Sequence, residues 1–414
     1  MKIAAIIAEY NPFHNGHLYL TEQVKKETGA DYLIAVMSGN FTERGIPAFC
    51  DKFLRAKMAV LGGVDAVFEL PVLYATSSAE RFARGGVSLL QGLSCIDTIA
   101  FGSECGDIKT LEAAASFLLS EPESYKKRLL RYQKHGASYP LALSMAAAAE
   151  AKEHGFPPDL LRTPNNLLGV EYIKALKRLS APISPYTTAR IGAGYHDTTP
   201  ITDSATKRTY GSAGAIRKVI SDETGSIASA APLLPPAIYR EIASSYGVSC
   251  PVTADDFSLL LSYCLSLEHA ASLTSYLDVS EDLANRIAAF SCEFLPFTEF
   301  AHKIKHRQIT FARVCRALTH ILLAIPKELS SIKAAPYARL LAMNRTASPL
   351  LRELKKRTEL PIITKAADAK QILSKESLRL FLLDSSCADL YSKVAATKYH
   401  SRYTEDVRRQ TELI

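Results

Sequence analysis

The 414-residue sequence has no Cys-x-x-Cys pair and no cluster of cysteine with histidine; its eight cysteines are scattered from Cys50 to Cys387. That spacing argues against a thiolate zinc site and a disulfide framework, and it suits a reducing cytoplasm. No apolar run is long enough to cross a membrane, and the N-terminal run Ile3–Ala8 is too short for the core of a secretion signal. Repeats, low-complexity tracts and heptad runs are missing too, so neither a solenoid nor a coiled coil is expected. Basic residues are nearly absent from 251–300, where Arg286 stands alone. Residues 301–414, in contrast, carry 22 Lys/Arg against 10 Asp/Glu, while the first 300 carry 27 against 32. Such asymmetry points to a basic C-terminal module suited to a nucleic-acid backbone; the plainer alternative is a set of solvated helix faces. With 48% apolar and 22% charged residues the chain is ordinary globular protein, long enough for two or three domains.

What is present is concentrated at the start. Ile3–Ala8 reads as a buried parallel strand, broken at Asn11-Pro12, where proline cannot continue a ladder. His14-Asn-Gly-His17 follows, then Leu18, Leu20 and Val24 at helical spacing. A strand, a tight turn and a helix place backbone N–H groups and the positive end of a helix dipole beside an anion. Two imidazoles three residues apart share one face of the first turn and can donate to phosphate oxygens. The residues thus suit nucleotidyl transfer; taken alone, the tetrapeptide could equally be a solvated turn.

Alternation continues to about residue 115. Strands are expected at Asp31–Met37, Val64–Leu70 and Asp97–Phe101, with helices over Lys52–Leu61 and 78–91. The pattern predicts an α/β, Rossmann-like parallel sheet with its ligand crevice outside the strand C-termini, where His14, Ser38-Gly39-Asn40 and Gly102 would meet. Residues 110–180 read as helical, Ser184–Ile191 as a last strand, and 196–212 as a polar loop over the site. From about 230 onward the pattern is mainly α-helical.

Other residues have two readings each. Gly102 either admits a base or ribose to the backbone or merely ends a strand. Asn165-Asn166 cap a helix beginning near Leu167 or read a nucleobase edge. Arg190 clamps phosphate or forms a surface ion pair. Ser212-Ala-Gly-Ala-Ile-Arg-Lys218 opens a helix that meets terminal phosphates or is simply capped.

Asn11-Pro-Phe-His-Asn-Gly-His17 is similar to the site motif of the HIGH-type nucleotidyltransferases, and Ser212–Lys218 resembles their second phosphate motif. The closer resemblance is to the bacterial tRNA(Met) cytidine acetate ligases. It rests on Glu9–His17, Met37-Ser-Gly-Asn-Phe41, Arg44-Gly45, Pro47-Ala48, Asp51-Lys52, Phe68-Glu-Leu-Pro71, Phe101-Gly-Ser-Glu104 and Pro164–Gly169. Weaker echoes follow in Pro336–Asn344 and Leu360–Lys365. The resemblance implies an enzyme that uses ATP and acetate to acetylate N4 of the wobble cytidine in elongator tRNA(Met), with acetyl-adenylate as intermediate. His14 and His17 would be catalytic. The ATP site carried over comprises Ile7, Ala8, Glu9, Tyr10, Asn11, Pro12, Phe13, His14, Asn15, Gly16, His17, Leu18, Tyr19 and Leu20, with Gly102, Asn165, Arg190, Ser212 and Arg217. Mg2+ would accompany ATP with no protein metal ligand, and no stable protein partner is implied. One departure stands out: the family's second motif usually has Thr where this chain has Gly214. The expected division is a catalytic domain over 1–225 and a helical region over 226–414, basic from about 300, with Lys355-Lys356-Arg357 as a candidate RNA contact. Two other readings remain, a small-molecule nucleotidyltransferase and a catalytically inactive RNA-binding protein.

Overall fold

The computed structural model describes residues 1–191, 200–204, 206–221 and 226–414. Its centre is a sheet built on five parallel strands, β1 (Ile3–Ala8), β2 (Tyr32–Ser38), β3 (Ala66–Leu70), β4 (Thr98–Ser103) and β5 (Ser184–Ala189), in the order β3-β2-β1-β4-β5. β1 to β4 are buried on both faces, so their sequences are near-continuous apolar runs, whereas the edge strand β5 is polar and partly exposed. The pleat still sorts the residues. Ile3, Ala5 and Ile7 enter one core with Ile34, Val36 and Phe68, while Ala4 and Ile6 enter the other with Leu33, Ala35 and Met37. Helix α1 (Asn15–Thr28) follows β1, and α2 (Lys52–Leu61), capped by the Asp51 carboxylate, precedes β3. The observed boundaries lie within two residues of those expected for every strand of this part.

The C-terminal half is mainly helical, as expected, but it is not confined to helices. Two short strands are named first, β6 (Ile201–Thr202) and β7 (Thr209–Tyr210), which pair as a hairpin. Further along, Ala338–Met343, inside the stretch read as helical, forms β8, antiparallel to β3. Two short strands, β9 (Ile362–Ile363) and β10 (Glu412–Leu413), pair parallel to β8. All six residues of β8 are buried. A short apolar run covered on both faces has no period to separate strand from helix, which is why the helical reading fails here. The expected division at 225 falls at residues outside those described.

The joint between the halves is an ion network. Lys52, fully buried, lies 2.7 Å from Glu69 Oε1 on β3 and 2.9 Å from Asp406 Oδ1. Arg339 on β8 also binds Asp406 and lies 3.5 Å from Glu69 Oε2. Beside it, Asp384 accepts from the Val72 N–H at 2.8 Å and meets the Tyr337 hydroxyl. Among the described residues no helix is long and apolar enough to cross a membrane.

Candidate nucleotide-binding site

The site is assembled where β1 ends. Tyr10 takes a left-handed backbone conformation, φ 47°, a strained state for a tyrosine that turns the chain out of the sheet. His14 then serves as N-cap of α1, its Nδ1 accepting from the Gly16 N–H at 3.0 Å. His17 Nδ1 reaches back to accept from the His14 N–H at 3.3 Å. The two rings stack at 3.8 Å, and Tyr10 and Phe13 flank His17 at 5.0 and 5.4 Å. Residue 16 must be glycine, because a Cβ there would stand 2.9 Å from His14 Cε1.

This geometry fixes the tautomer. A neutral imidazole whose Nδ1 accepts carries its proton on Nε2. Both rings are held neutral. Burial is the largest cause for each, and His17 and the guanidiniums of Arg190 and Arg217 add to it at His14. At His17, burial and Arg190 bring the value down to about 3. Two neutral Nε2–H donors therefore stand side by side at the end of β1.

Two cations complete the site. Arg217, in the helix Ala213–Ser221, donates to the Asn11 carbonyl at 2.5 Å and so joins motifs 206 residues apart. Ser212 caps that helix as expected, accepting from the Ala215 N–H at 3.1 Å. Arg190 leaves the end of β5 and lies across Gly102, where a Cβ would come within 3.2 Å of its Cγ. Gly102 thus makes room for an arginine. Among the described residues neither guanidinium has an ion-pair partner, and burial pulls both below their usual value. Glu104 near Arg190 and Glu9 near Arg217 offset only part of that, so an anion binding between the guanidiniums would be stabilised by both. Together with the two hydrogen-bond donors they make a receptor for a polyanion.

The other expected residues divide. The helix holding Asn165 begins at Pro164 with Thr163 as N-cap, so the asparagines lie in its first turn and do not precede it. Glu104 caps it, accepting from Asn165 Nδ2 at 2.6 Å and the Asn166 N–H at 2.7 Å. Asn165 Oδ1 still faces Arg190 at 3.4 Å, which places it beside the site. The Asn15 amide donates to the Thr209 and Pro232 carbonyls, both at 2.9 Å, and ties α1 to its surroundings. Ile7 and Phe13 are core residues, while Ala8, Leu18 and Leu20 pack against that core. Tyr19 meets Tyr210 edge-on. Asn11 Oδ1 accepts from the Phe49 N–H at 2.7 Å, so Asn11 and Pro12 shape the turn. Of the loop expected over 196–212, residues 196–199 and 205 lie outside those described. In the remainder, Arg208 pairs with Glu22 of α1 through both carboxylate oxygens, at 2.6 and 2.9 Å.

One residue the sequence reading did not single out, Arg55, holds the rim. Fully buried in α2, it donates to the carbonyls of Cys50, Glu9, Ser38 and Gly39, tying the ends of β1 and β2 together. Its only signal was position, one helical turn beyond Asp51-Lys52. Among the described residues no three His, Cys, Asp or Glu side chains converge on a metal position.

The chain is similar to known proteins over nearly its whole length. A family model described as HIGH Nucleotidyl Transferase matches residues 1–406. The tRNA(Met) cytidine acetate ligase of Thermoanaerobacter sp. is 39% identical over 394 residues, 95% of each chain. That of Acetivibrio thermocellus is 37% identical over 401 residues, 94% of each chain. The crystal structure of Thermotoga maritima TmcAL bound with alpha-thio ATP superposes with a TM-score of 0.89 at 29% identity, covering all of both chains. Strand order, the His14–His17 turn and two whole-length similarities converge, and the chain belongs to the HIGH nucleotidyl transferase family, among the tRNA(Met) cytidine acetate ligases.

Proposed function

We propose that this protein activates acetate with ATP and transfers the acetyl group to N4 of the wobble cytidine in elongator tRNA(Met), in the cytoplasm. The observation that carries the reading is the pair of guanidiniums, each without an ion-pair partner among the described residues, beside two neutral imidazole donors. In the first half-reaction an acetate oxygen attacks the α-phosphorus and pyrophosphate leaves. His14 and His17 donate from Nε2 to phosphate oxygens while Arg190 and Arg217 balance the charge. These groups need only position and stabilise, as in other phosphoryl and nucleotidyl transfers. Mg2+ accompanying the triphosphate would share its charge and be held by phosphate oxygens. In the second half-reaction the cytidine amine attacks the acetyl carbonyl, AMP leaves, and the amine gives up a proton. An unpaired anticodon-loop base can be splayed into the crevice for this.

The decisive experiment incubates the protein with ATP, Mg2+, labelled acetate and bacterial tRNA, then analyses nucleosides. Label is expected in N4-acetylcytidine. AMP release that depends on a phosphorylated metabolite, with no label in RNA, would overturn the reading.

Gly214 offers a finer test. A Cβ there meets only Ser212 Oγ at 3.8 Å and Arg217 Nη2 at 4.0 Å, so a side chain fits beside the phosphate-facing groups. Gly214→Thr should return a hydroxyl to that turn and remove a helix-weakening glycine. One added hydrogen bond corresponds to a KM for ATP lower by about threefold to tenfold. Steady-state kinetics with ATP varied would show it; an unchanged or higher KM would mean that the hydroxyl has no phosphate to meet.

A further inference from the structure

The helix Glu123–Lys134 carries five cations and one carboxylate, although it lies outside the basic C-terminal third. Lys127, Arg131 and Lys134 recur at spacings of four and three and are exposed, so they form one stripe on the helix. Like charges at such spacing weaken a helix by a few tenths of a kcal/mol per pair. Among the described residues none of the three has an ion-pair partner, whereas Lys126 pairs with Glu123 and Arg128 with Glu150. The chain folds a second basic segment against the end of this helix: Arg307 lies 3.8 Å from the Cβ position of Gly136. Arg307 is exposed and likewise has no ion-pair partner among the described residues.

This composite face is linked to the loop after β2 through one helix. Four residues beyond Arg307 begins the helix Phe311–Leu322, whose Arg316 faces Glu43 Oε1 at 3.5 Å in the loop after β2. Lys355-Lys356-Arg357, the cluster singled out in the sequence, sits elsewhere. The next residue, Thr358, bonds to the Gly92 carbonyl at the end of the helix that leads into β4. That is the N-terminal edge of the parallel strands, opposite the crevice.

We infer that the phosphate backbone of the target RNA is held by the composite face of Lys127, Arg131, Lys134 and Arg307, and not by Lys355–Arg357. The inference rests on the tRNA-acetylating reading above. An RNA with one base in the crevice extends beyond it, and the helix that starts four residues after Arg307 leads from this face to the loop after β2. Unpaired lysines and arginines are the chemistry that phosphate contacts use, and they fix position without reading sequence.

The test measures direct binding of purified elongator tRNA(Met) as salt is varied. Arg131→Glu/Lys134→Glu/Arg307→Glu should weaken binding at least about 30-fold at about 0.1 M salt. The slope of log affinity against log salt should fall by about two to three, near one per lost phosphate contact. The corresponding glutamine variant should show a smaller loss with the same change of slope. Lys355→Ala/Lys356→Ala/Arg357→Ala should stay within threefold of wild type. Acetate-dependent ATP–pyrophosphate exchange should be unchanged in all three, reporting an intact fold and first half-reaction. Glutamate and glutamine variants that bind like wild type with the wild-type slope would overturn the inference. So would an equal loss in the 355–357 variant. If wild type itself shows no acetate-dependent exchange, the enzymatic reading fails, and the binding series still decides the surface independently.

Discussion

His17→Ala is expected to slow acetate-dependent ATP–pyrophosphate exchange by about 10²–10³-fold, the usual cost of removing one preorganised donor from a developing oxyanion, while tRNA affinity stays within about twofold. His17 is the cleaner of the two histidines for this test, because removing His14 would also uncap α1 at about 1 kcal/mol. The tautomer supplies a sharper criterion. Nδ1 of His17 is occupied by the His14 N–H at 3.3 Å, so the working proton is on Nε2. A glutamine amide reaches about as far as Nε2, and an asparagine amide only as far as Nδ1. His17→Gln should therefore recover part of the rate, and His17→Asn should resemble alanine. The pH profile follows from the direction of the shift. Burial, aided by Arg190, lowers the His17 value to about 3, so the ring stays neutral on going from pH 8 to 6.5. The ratio of wild type to His17→Gln in kcat/KM for ATP cancels titration of the substrate and should be flat over that range. A ratio that rises as pH falls through 6.5 would mean that an imidazolium does the chemistry, and the neutral-donor assignment would fail.

The His14–His17 turn is legible because everything that makes it is local. A strand, the Asn11-Pro12 break, two histidines and the glycine before the second are all written within fifteen residues, although the N-cap role of His14 emerges only in the structure. The long-range parts of the site were legible only as separate fragments. Arg217 could be placed at the start of a helix, yet nothing local says that it reaches the Asn11 carbonyl. Asn165 suits a cap because asparagine favours that role, although Thr163 followed by Pro164 is the stronger start signal, proline being suited to the first helical position. Glu104 then took the capping role from a distant strand end, which no spacing rule anticipates. The surface charge shows the same limit. Net charge by segment points to the last third, whereas exposure and pairing pick out a helix near residue 130 that only the fold brings beside Arg307.

Lys52→Met is expected to be the most destabilising single change, by about 3–5 kcal/mol, because it leaves two buried carboxylates short of a cation. Lys52 bonds to both oxygens of Glu69, at 2.7 and 2.9 Å, and pairs with Asp406. Burial pushes the Asp406 carboxyl up, yet Lys52 and Arg339 together outweigh it and hold it down at about 2. Asp384 is the opposite case: burial and the nearby Glu69 raise it to about 7, so the cluster already carries as much negative charge as it tolerates. A loss of this size is a large part of the 5–15 kcal/mol that stabilises a typical fold. It would also reach the crevice. The Lys52 N–H is held by Asn40 Oδ1 at 2.7 Å, and Glu69 Oε1 lies 2.6 Å from the Cβ position of Gly39, so the turn after β2 rests on this network. Urea unfolding should therefore show a lowered midpoint in Lys52→Met and partial recovery in Lys52→Met/Glu69→Gln, since the second change removes one uncompensated charge. The effect should hardly change between about 0.05 and 0.5 M salt, because buried pairs are screened far less than exposed ones. A loss below about 1 kcal/mol, or one that salt abolishes, would mean that β8 and the Asp406 segment are held to the sheet by packing alone.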